Sequence, residues 1–233
     1  MKTQAQKTTK KLDGPAICLV SGGMDSCVSA AIAIGRHKET AFLHVNYGQR
    51  TEKTELEAFR RISAHYGITK QLIADISYLA EIGGSALTDS RIAVPTAGIE
   101  NNLIPNTYVP FRNTHLIAIA VSWAEVIGAN YIYIGATEVD SSGYPDCRAA
   151  YFEAFNQLIK TGTRPESHIE IVTPLLHMTK REVVLTGMQV QAPLHLTWSC
   201  YKNEKLACGH CDSCRLRLKG FQEAGVKDPI PYE

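Results

Sequence analysis

The sequence predicts an α/β fold: a five-stranded, mainly parallel sheet with helices on both faces, followed by a small C-terminal extension. Three observations support this prediction. Short apolar runs alternate with longer segments of helical periodicity, as in parallel sheets that are covered on both faces. A glycine-rich loop follows the first apolar run, and four cysteines lie close together near the end of the chain.

The predicted strands are short apolar runs bounded by glycine or polar residues, and they cover residues 16–20, 41–45, 71–74, 131–134 and 169–172. The predicted helices cover residues 28–34, 51–66, 115–128, 151–159 and 179–186, with a last helix that begins near Asp212. Residues 78–111 are rich in Gly, Asn, Pro and Thr and are too long for an ordinary connection. We therefore expect a functional loop or lid in that segment.

Length and charge set limits on the function. The chain has 233 residues, which predicts one α/β domain over residues 14–191 between a polar tail, 1–13, and the extension, 192–233. Lys and Arg number 24 against 23 Asp and Glu, so no overall basic field favours direct nucleic-acid binding. No apolar run approaches the roughly 18 to 20 residues of a membrane span, and the tail has no signal-peptide pattern. We expect a cytoplasmic protein.

The glycine-rich loop reads Ser21-Gly22-Gly23-Met24-Asp25-Ser26. Its two glycines permit close backbone approach, so successive N–H groups can point into one concavity at a helix N-terminus and bind an anion. The loop lies at the carboxyl end of a predicted parallel strand, where ligands bind in such sheets. The simpler interpretation is a tight strand-to-helix turn capped by Asp25 or Ser26.

The four crowded cysteines, Cys200, Cys208, Cys211 and Cys214, have the spacing C-x7-C-x2-C-x2-C. Four thiolates complete a tetrahedral shell with no open position, which predicts one structural Zn²⁺ per chain. We expect Lys205, Arg215 and Arg217 to offset the thiolate charge. An iron–sulfur cluster takes the same ligands, His210 is a possible substitute for one thiolate, and a zinc ribbon that binds nucleic acid is a further alternative.

The loop over residues 135–148, after the fourth predicted strand, combines carboxylates, a thiol, an aromatic ring and an arginine. Such a set at a strand carboxyl end predicts a binding site, although a solvated surface turn is the simpler alternative. A carboxylate suits a purine-like edge because it accepts adjacent N–H groups, and either Asp140 or Asp146 fits that role. Cys147 is a possible nucleophile if Arg148 lowers its pKa, but a non-catalytic thiol is the preferred interpretation.

Several segments together resemble one family. The loop at residues 21–26 is similar to the SGGxDS loop of N-type ATP pyrophosphatases, which cleave ATP between its α and β phosphates. With that loop and the cysteine cluster, the chain resembles the 7-cyano-7-deazaguanine synthase family of queuosine biosynthesis over about residues 16–218. The matching segments are 45–50, 85–89, 109–113, 142–148, 173–175, 180–184 and 197–201. Two positions depart from the family pattern: Phe111 replaces a small residue and Ala149 replaces a proline.

The resemblance implies an adenine-nucleotide alpha-hydrolase-like fold and a C–N bond-forming ligase in a tRNA modification pathway. Its reactants are ATP with Mg²⁺, ammonia and 7-carboxy-7-deazaguanine. A homodimer and an adenine position near residues 44–47 are also implied. The implied ATP-binding residues are Val20, Ser21, Gly22, Gly23, Met24, Asp25, Ser26, Cys27 and Lys180, of which Asp25 and Lys180 are catalytic. The implied substrate-binding residues are Arg112, Asn113, Asp140, Tyr144, Asp146 and Arg148.

Two other functions agree with parts of the pattern. Another ATP pyrophosphatase, such as a tRNA thiolation or lysidine-forming enzyme or an amidotransferase synthetase, has the same loop. Those enzymes normally carry a tRNA-binding or glutaminase domain, and we expect neither in a chain of this length. A zinc-ribbon interaction module, in which the Ser-Gly-Gly turn is incidental, is the non-enzymatic alternative.

Overall fold

The computed structural model describes residues 11–12, 14–95, 104–139 and 143–233. Within them, five strands form one sheet in the order β3-β2-β1-β4-β5. The strands are β1 Ala16–Leu19, β2 Thr40–Asn46, β3 Gln71–Asp75, β4 Tyr131–Tyr133 and β5 Glu170–Val172. All four pairings between them are parallel, which confirms the predicted fold class.

The strand order places a topological switch point at the centre of the sheet. From β1 the chain first builds outward through β2 to β3, and then returns to add β4 and β5 on the other side of β1. The loops that leave β1 and β4 therefore diverge to opposite faces and open a crevice at the carboxyl ends of these two strands. Ligands of open parallel sheets bind in such crevices.

Seven helices are described: α1 Met24–Arg36, α2 Glu52–His65, α3 Tyr78–Ile82, α4 Arg112–Ile127, α5 Ala149–Gly162, α6 Lys180–Gln189 and α7 Asp212–Glu223. Short 3₁₀ turns cover Pro145–Cys147 and Leu194–Leu196. Helix α1 begins at Met24 rather than at residue 28, so it starts inside the glycine loop. Helix α3 lies in the segment predicted to be a loop or lid. Its five residues are too few to give a helical pattern in the sequence.

The two faces of the sheet are covered by different helices. On one face Phe42 packs with Phe59 and Ile62 of α2. On the other face Leu43, the next residue of β2, packs in a core cluster that contains Ile117 of α4 and Phe152 of α5. Because neighbouring side chains of a strand point to opposite faces, an apolar run of this kind buries both. No helix among the described residues is long and apolar enough to span a bilayer.

Described residues on both sides of the predicted 14–191 domain contact it. Leu12, which the prediction assigns to the tail, forms a parallel bridge with His37. Helix α7 of the extension packs on α6. Arg217 of α7 is buried and bonds both carboxylate oxygens of Asp228, with Nε 2.7 Å from Oδ2. The expectation that Arg217 offsets thiolate charge is therefore wrong, because its charge is neutralised by a carboxylate.

Candidate active site

A cavity of about 280 Å³ opens at the carboxyl ends of β1, β2 and β4, next to the switch point. Its walls come from the glycine loop, α2, the first turn of α4, the first residue of α6, the 198–201 segment and α7. The side chain of Tyr144 also lines it. The cavity thus brings together the predicted phosphate loop, part of the predicted substrate site and the extension.

The glycine loop has a backbone that no other residue type can adopt without strain. Gly22 has φ +93°, and a Cβ atom there would lie 2.5 Å from the carbonyl oxygen of Glu55. A Cβ at Gly135, just after β4, would lie 2.6 Å from the backbone of Asp25. Across the loop, the Trp198 N–H donates to the Gly22 carbonyl at 2.8 Å. Strand β4, α2 and the extension therefore hold the loop in place.

The N-terminus of α1 faces the cavity without a side-chain cap. No side chain caps the helix at Gly23, and the hydroxyl of Ser26 instead donates to the Gly23 carbonyl at 2.9 Å. This finding is against the interpretation of the loop as a simple turn capped by Asp25 or Ser26. Uncapped N–H groups at a helix N-terminus, with the helix dipole behind them, form an anion site.

Asp25 and Lys180 form an ion pair at the edge of this anion site. Lys180 Nζ lies 2.6 Å from Asp25 Oδ2 and 3.1 Å from the hydroxyl oxygen of Thr137. Lys180 is only 6% exposed, so it is not a solvated surface lysine. Asp25 Oδ1 is buried and has no hydrogen-bond partner within the described residues. A buried carboxylate oxygen of this kind suits a divalent cation.

Arg112 enters the cavity opposite the phosphate loop. Its Nη1 donates to the hydroxyl of Tyr47 at 2.8 Å, and its Cζ lies 4.9 Å from the Tyr47 ring centroid and 6.0 Å from that of Tyr144. The Nε of Arg112 is buried without a hydrogen-bond partner in the described structure. A buried guanidinium stays protonated and presents this free donor, so it can bind a ligand carboxylate or carbonyl.

Asp146 and Asn113 bond to each other behind the cavity wall. The Asn113 N–H donates to Asp146 Oδ2 at 2.9 Å, and the Asn113 amide donates to the Asp146 carbonyl at 2.8 Å. Asn113 lines the cavity, whereas Asp146 does not, and burial raises the pKa of the Asp146 carboxyl. These contacts position the first turn of α4, so a direct role of Asp146 at the substrate stays a prediction.

The other predicted substrate and nucleophile residues lie in different places. Burial raises the pKa of Cys147 to about 11, so its thiol is neutral near pH 7 and the nucleophile alternative loses its basis. Arg148 is exposed just before α5 and does not line the cavity. Asp140 lies outside the described residues. Cys27, predicted to bind ATP, is a core residue of α1 whose pKa burial raises to about 12.

Glu55 is a cavity residue that the sequence analysis missed. Thr51 donates its hydroxyl to Glu55 Oε1 at 2.8 Å, and Gln49 donates its amide to Oε2 at 3.2 Å. Burial raises the pKa of the Glu55 carboxyl to about 7. The sequence has no signal for this, because Glu52 and Glu57 on the same helix look equivalent until the cavity is known.

The four extension cysteines form one cluster. All of them are buried, and their sulfur atoms lie within 4.8 Å of one another. Backbone N–H groups of Asn203 and Cys208 point at the Cys200 sulfur at 3.3 Å and 3.4 Å, as expected around a metal-bound thiolate. A tetrahedral ion with metal–sulfur bonds of about 2.3 Å needs sulfurs roughly 3.8 Å apart, so the cluster fits a closed metal site. His210 is exposed and is not part of this cluster.

An open parallel sheet with an uncapped helix N-terminus and a buried lysine in the cavity at its carboxyl edge is the arrangement in which α/β proteins bind phosphate groups. Its sequence matches the family model "Queuosine biosynthesis protein QueC" over residues 15–225, and the chain belongs to that family. The resemblance drawn from the sequence is confirmed.

Close relatives carry one name. The chain is 58% identical to the 7-cyano-7-deazaguanine synthase of Chlorobaculum parvum and 57% identical to that of Chlorobaculum tepidum, covering 94% of this chain and 96% of each relative. Among solved structures, a 4-thiouridine synthetase in complex with RNA and ATP aligns with a TM-score of 0.46 at 16% identity. That alignment covers 94% of this chain and 47% of the synthetase.

Proposed function

We propose that the chain converts 7-carboxy-7-deazaguanine and ammonia to 7-cyano-7-deazaguanine at the expense of ATP. The proposal is supported by family membership and by the name that its relatives carry over nearly their whole length. The observation that carries it is the placement of the uncapped phosphate loop and the Asp25–Lys180 pair in one cavity with the cationic Arg112. ATP-dependent activation of a carboxylate needs both an anion cradle and a second cation.

The chemistry requires two activations of one carbon. Transfer of AMP from ATP to the carboxylate gives an acyl adenylate and releases pyrophosphate. Ammonia then displaces AMP and forms the primary amide. A second ATP adenylates the amide oxygen, and loss of this AMP together with the remaining N–H protons gives the nitrile. Each of the two adenylations converts an oxygen that is a poor leaving group into part of a good one, AMP.

The phosphate-loop residues 20–26 would hold the β and γ phosphates, which leave as pyrophosphate. Lys180 would neutralise the charge that develops on this group, because electrostatic stabilisation is usually the largest catalytic contribution. Mg²⁺, which spreads charge over the phosphates, fits the unpartnered Oδ1 of Asp25. We infer that Zn²⁺ occupies the closed cysteine site, where it supports the fold and takes no part in the reaction.

We propose that the substrate is bound by Arg112, Asn113 and Tyr144. The proposal keeps three further predicted members of the same site: Asp140, Asp146 and Arg148.

The proposed adenine position lies beside the end of β2. His44 there is buried, with its ring nitrogens 2.9 Å from the Val20 carbonyl and 3.0 Å from Asn46. His44 does not line the cavity and packs against Phe59, whereas its neighbours Leu43 and Val45 do line it. A homodimer is also proposed, and light scattering tests it.

The deciding experiment measures exchange of labelled pyrophosphate into ATP as a function of the added carboxylic acid, followed by mass spectrometry with ammonium present. We expect 7-carboxy-7-deazaguanine to drive exchange, and the amide to appear before the nitrile. If a different carboxylic acid alone drives exchange, the protein is a paralogous adenylating enzyme. If no acid does so in a folded, metal-loaded protein, the adenylation proposal is wrong.

A further inference from the structure

Glu55 lines the cavity, and burial raises the pKa of its carboxyl to about 7, so this side chain is partly ionised near neutral pH. The carboxylate of Asp25 is paired with Lys180, and Arg217 is paired with Asp228. Burial raises the pKa values of Tyr47 and Cys147, so both stay protonated. A group that can both hold and release a proton is what acid–base chemistry requires.

The position of Glu55 is fixed between the two functional halves of the cavity. Its backbone carbonyl adjoins Gly22 of the phosphate loop. The Gln49 amide that bonds its carboxylate also accepts the Tyr47 N–H at 2.8 Å, and Tyr47 in turn holds Arg112. The carboxylate therefore has one orientation, with one side chain donating to each of its oxygens. The remaining lone pairs are available to a proton or to an N–H donor.

The surroundings of Glu55 have opposing effects on its pKa. Burial is the main effect and raises its pKa, and the nearby Glu52 carboxylate acts in the same direction. The hydroxyl of Thr51, the amide of Gln49 and the Arg112 guanidinium act in the opposite direction. The outcome is a partly buried carboxyl group that remains partly ionised at neutral pH.

We propose that Glu55 accepts the proton that ammonia loses when it attacks the activated acid. The nitrogen lone pair forms the C–N bond, the C–O bond to AMP breaks with its electron pair moving to the phosphate oxygen, and one N–H proton moves to the Glu55 carboxylate. The products are the amide, AMP and protonated Glu55, which later releases its proton to water. This inference rests on the proposed function, and it assigns a role in the amide-forming step that adenylation does not need.

The test compares Glu55→Gln with the matched variant Glu57→Gln, which removes a carboxylate from the same helix at a side chain that is 67% exposed. Glutamine keeps the size of Glu55, and its amide can bond both Thr51 and Gln49 if its nitrogen faces the threonine. Two rates are measured: acid-dependent ATP–pyrophosphate exchange, and amide formation in a single turnover at constant free ammonia. Circular dichroism and metal content confirm that the variants are folded.

We expect Glu55→Gln to lower the ratio of amide formation to exchange by about 100-fold or more, as for loss of a general base. The wild-type and Glu57→Gln amide rates should rise with pH through about 7, and this rise should be missing in Glu55→Gln. Hydroxylamine, which is far less basic than ammonia, should restore most of the lost rate because its attacking nitrogen sheds its proton readily.

Three results would overturn the role of Glu55. An unchanged ratio would do so, and so would a variant defect that hydroxylamine does not relieve. A rise in the KM for the acid with no change in the ratio would assign Glu55 to reading the purine edge instead. Absence of exchange in the wild-type protein would be distinct from all of these, because it removes the proposed function itself.

Discussion

Lys180 Nζ lies 2.6 Å from the carboxylate of Asp25, although the two residues lie in the first turns of different helices, α6 after β5 and α1 after β1. The contact is possible because both helices start at the carboxyl edge of the same parallel sheet. Gly220 of α7 is required for it as well, because a Cβ there would lie 2.8 Å from the Lys180 Cβ. The extension thus packs directly on the residue that faces the phosphate loop.

Replacing Lys180 by Met should abolish most of the acid-dependent ATP–pyrophosphate exchange. We expect a loss of about 100-fold or more, because one charge-stabilising group aimed at a transition state is typically worth that much. The control is Lys219→Met, which removes a lysine from the surface of α7 and should leave exchange within about twofold of wild type. Near-normal exchange in a folded Lys180→Met protein would show that the pyrophosphate leaves without this cation.

Replacing Cys208 by Ala should remove the metal and several kcal/mol of stability, since metal binding is coupled to folding of the extension. Elemental analysis should give one zinc per wild-type chain and well under one in the variant, with a matching fall in the melting temperature. His210→Ala, next to the cluster but exposed, should retain full metal content. Iron with sulfide in the wild-type protein would contradict the zinc assignment.

Phe111 has a left-handed backbone, φ +57°, at the residue before α4, and its side chain is 56% exposed. Its amide N–H donates to the Tyr108 hydroxyl at 2.8 Å. Left-handed geometry costs about 1 kcal/mol or more for a residue with a Cβ atom. We therefore expect Phe111→Gly to be more stable than Phe111→Ala by about 1 kcal/mol in urea unfolding. Both variants lose the ring, so the difference isolates the backbone, and equal stability would argue against strain there.

Glu55→Gln should stabilise the protein at alkaline pH. The Glu55 pKa is about 7 in the folded chain against 4.5 for an unperturbed glutamate, so folding penalises its ionised form. Considering this group alone, the free energy of unfolding of the wild type is highest below pH 4.5. It falls as the pH rises from 4.5 through about 7. The variant should exceed wild type by on the order of 1 to 3 kcal/mol at pH 8 and match it near pH 4. A constant difference across this range would mean that Glu55 does not titrate in the folded chain.

Much of the fold could be predicted because it depends on local patterns. The five strands are apolar runs of the kind that both-face burial requires, and the phosphate loop carries glycines that its geometry needs at Gly22. Helix α3 could not be predicted, because its short length gives no periodicity.

The contacts of the site residues were harder to predict, for a different reason. Whether Glu55 or Glu52 reaches the cavity depends on the rotation of α2 against the sheet, and the pairing of Arg217 with Asp228 depends on where the chain folds back.

Asp146 illustrates the same limit. Its sequence context, in a polar loop after a strand, predicts a substrate contact, and the loop does reach the cavity through Tyr144 and Cys147. The carboxylate itself points behind the wall and bonds the Asn113 N–H. Neighbouring residues in a 3₁₀ turn point in different directions, so a motif locates a site more reliably than it assigns a contact to each of its side chains.

The hydrogen bond from Trp198 to the Gly22 carbonyl also sets the order in which the active site can be assembled during synthesis. Strands β1 to β5 leave the ribosome before Trp198 does, so the sheet can form while the phosphate loop still lacks this partner. The loop can therefore gain this hydrogen bond only after the extension has been synthesised. If the cysteine cluster binds a metal, as proposed, we expect loss of that metal to affect the phosphate loop before it affects the sheet.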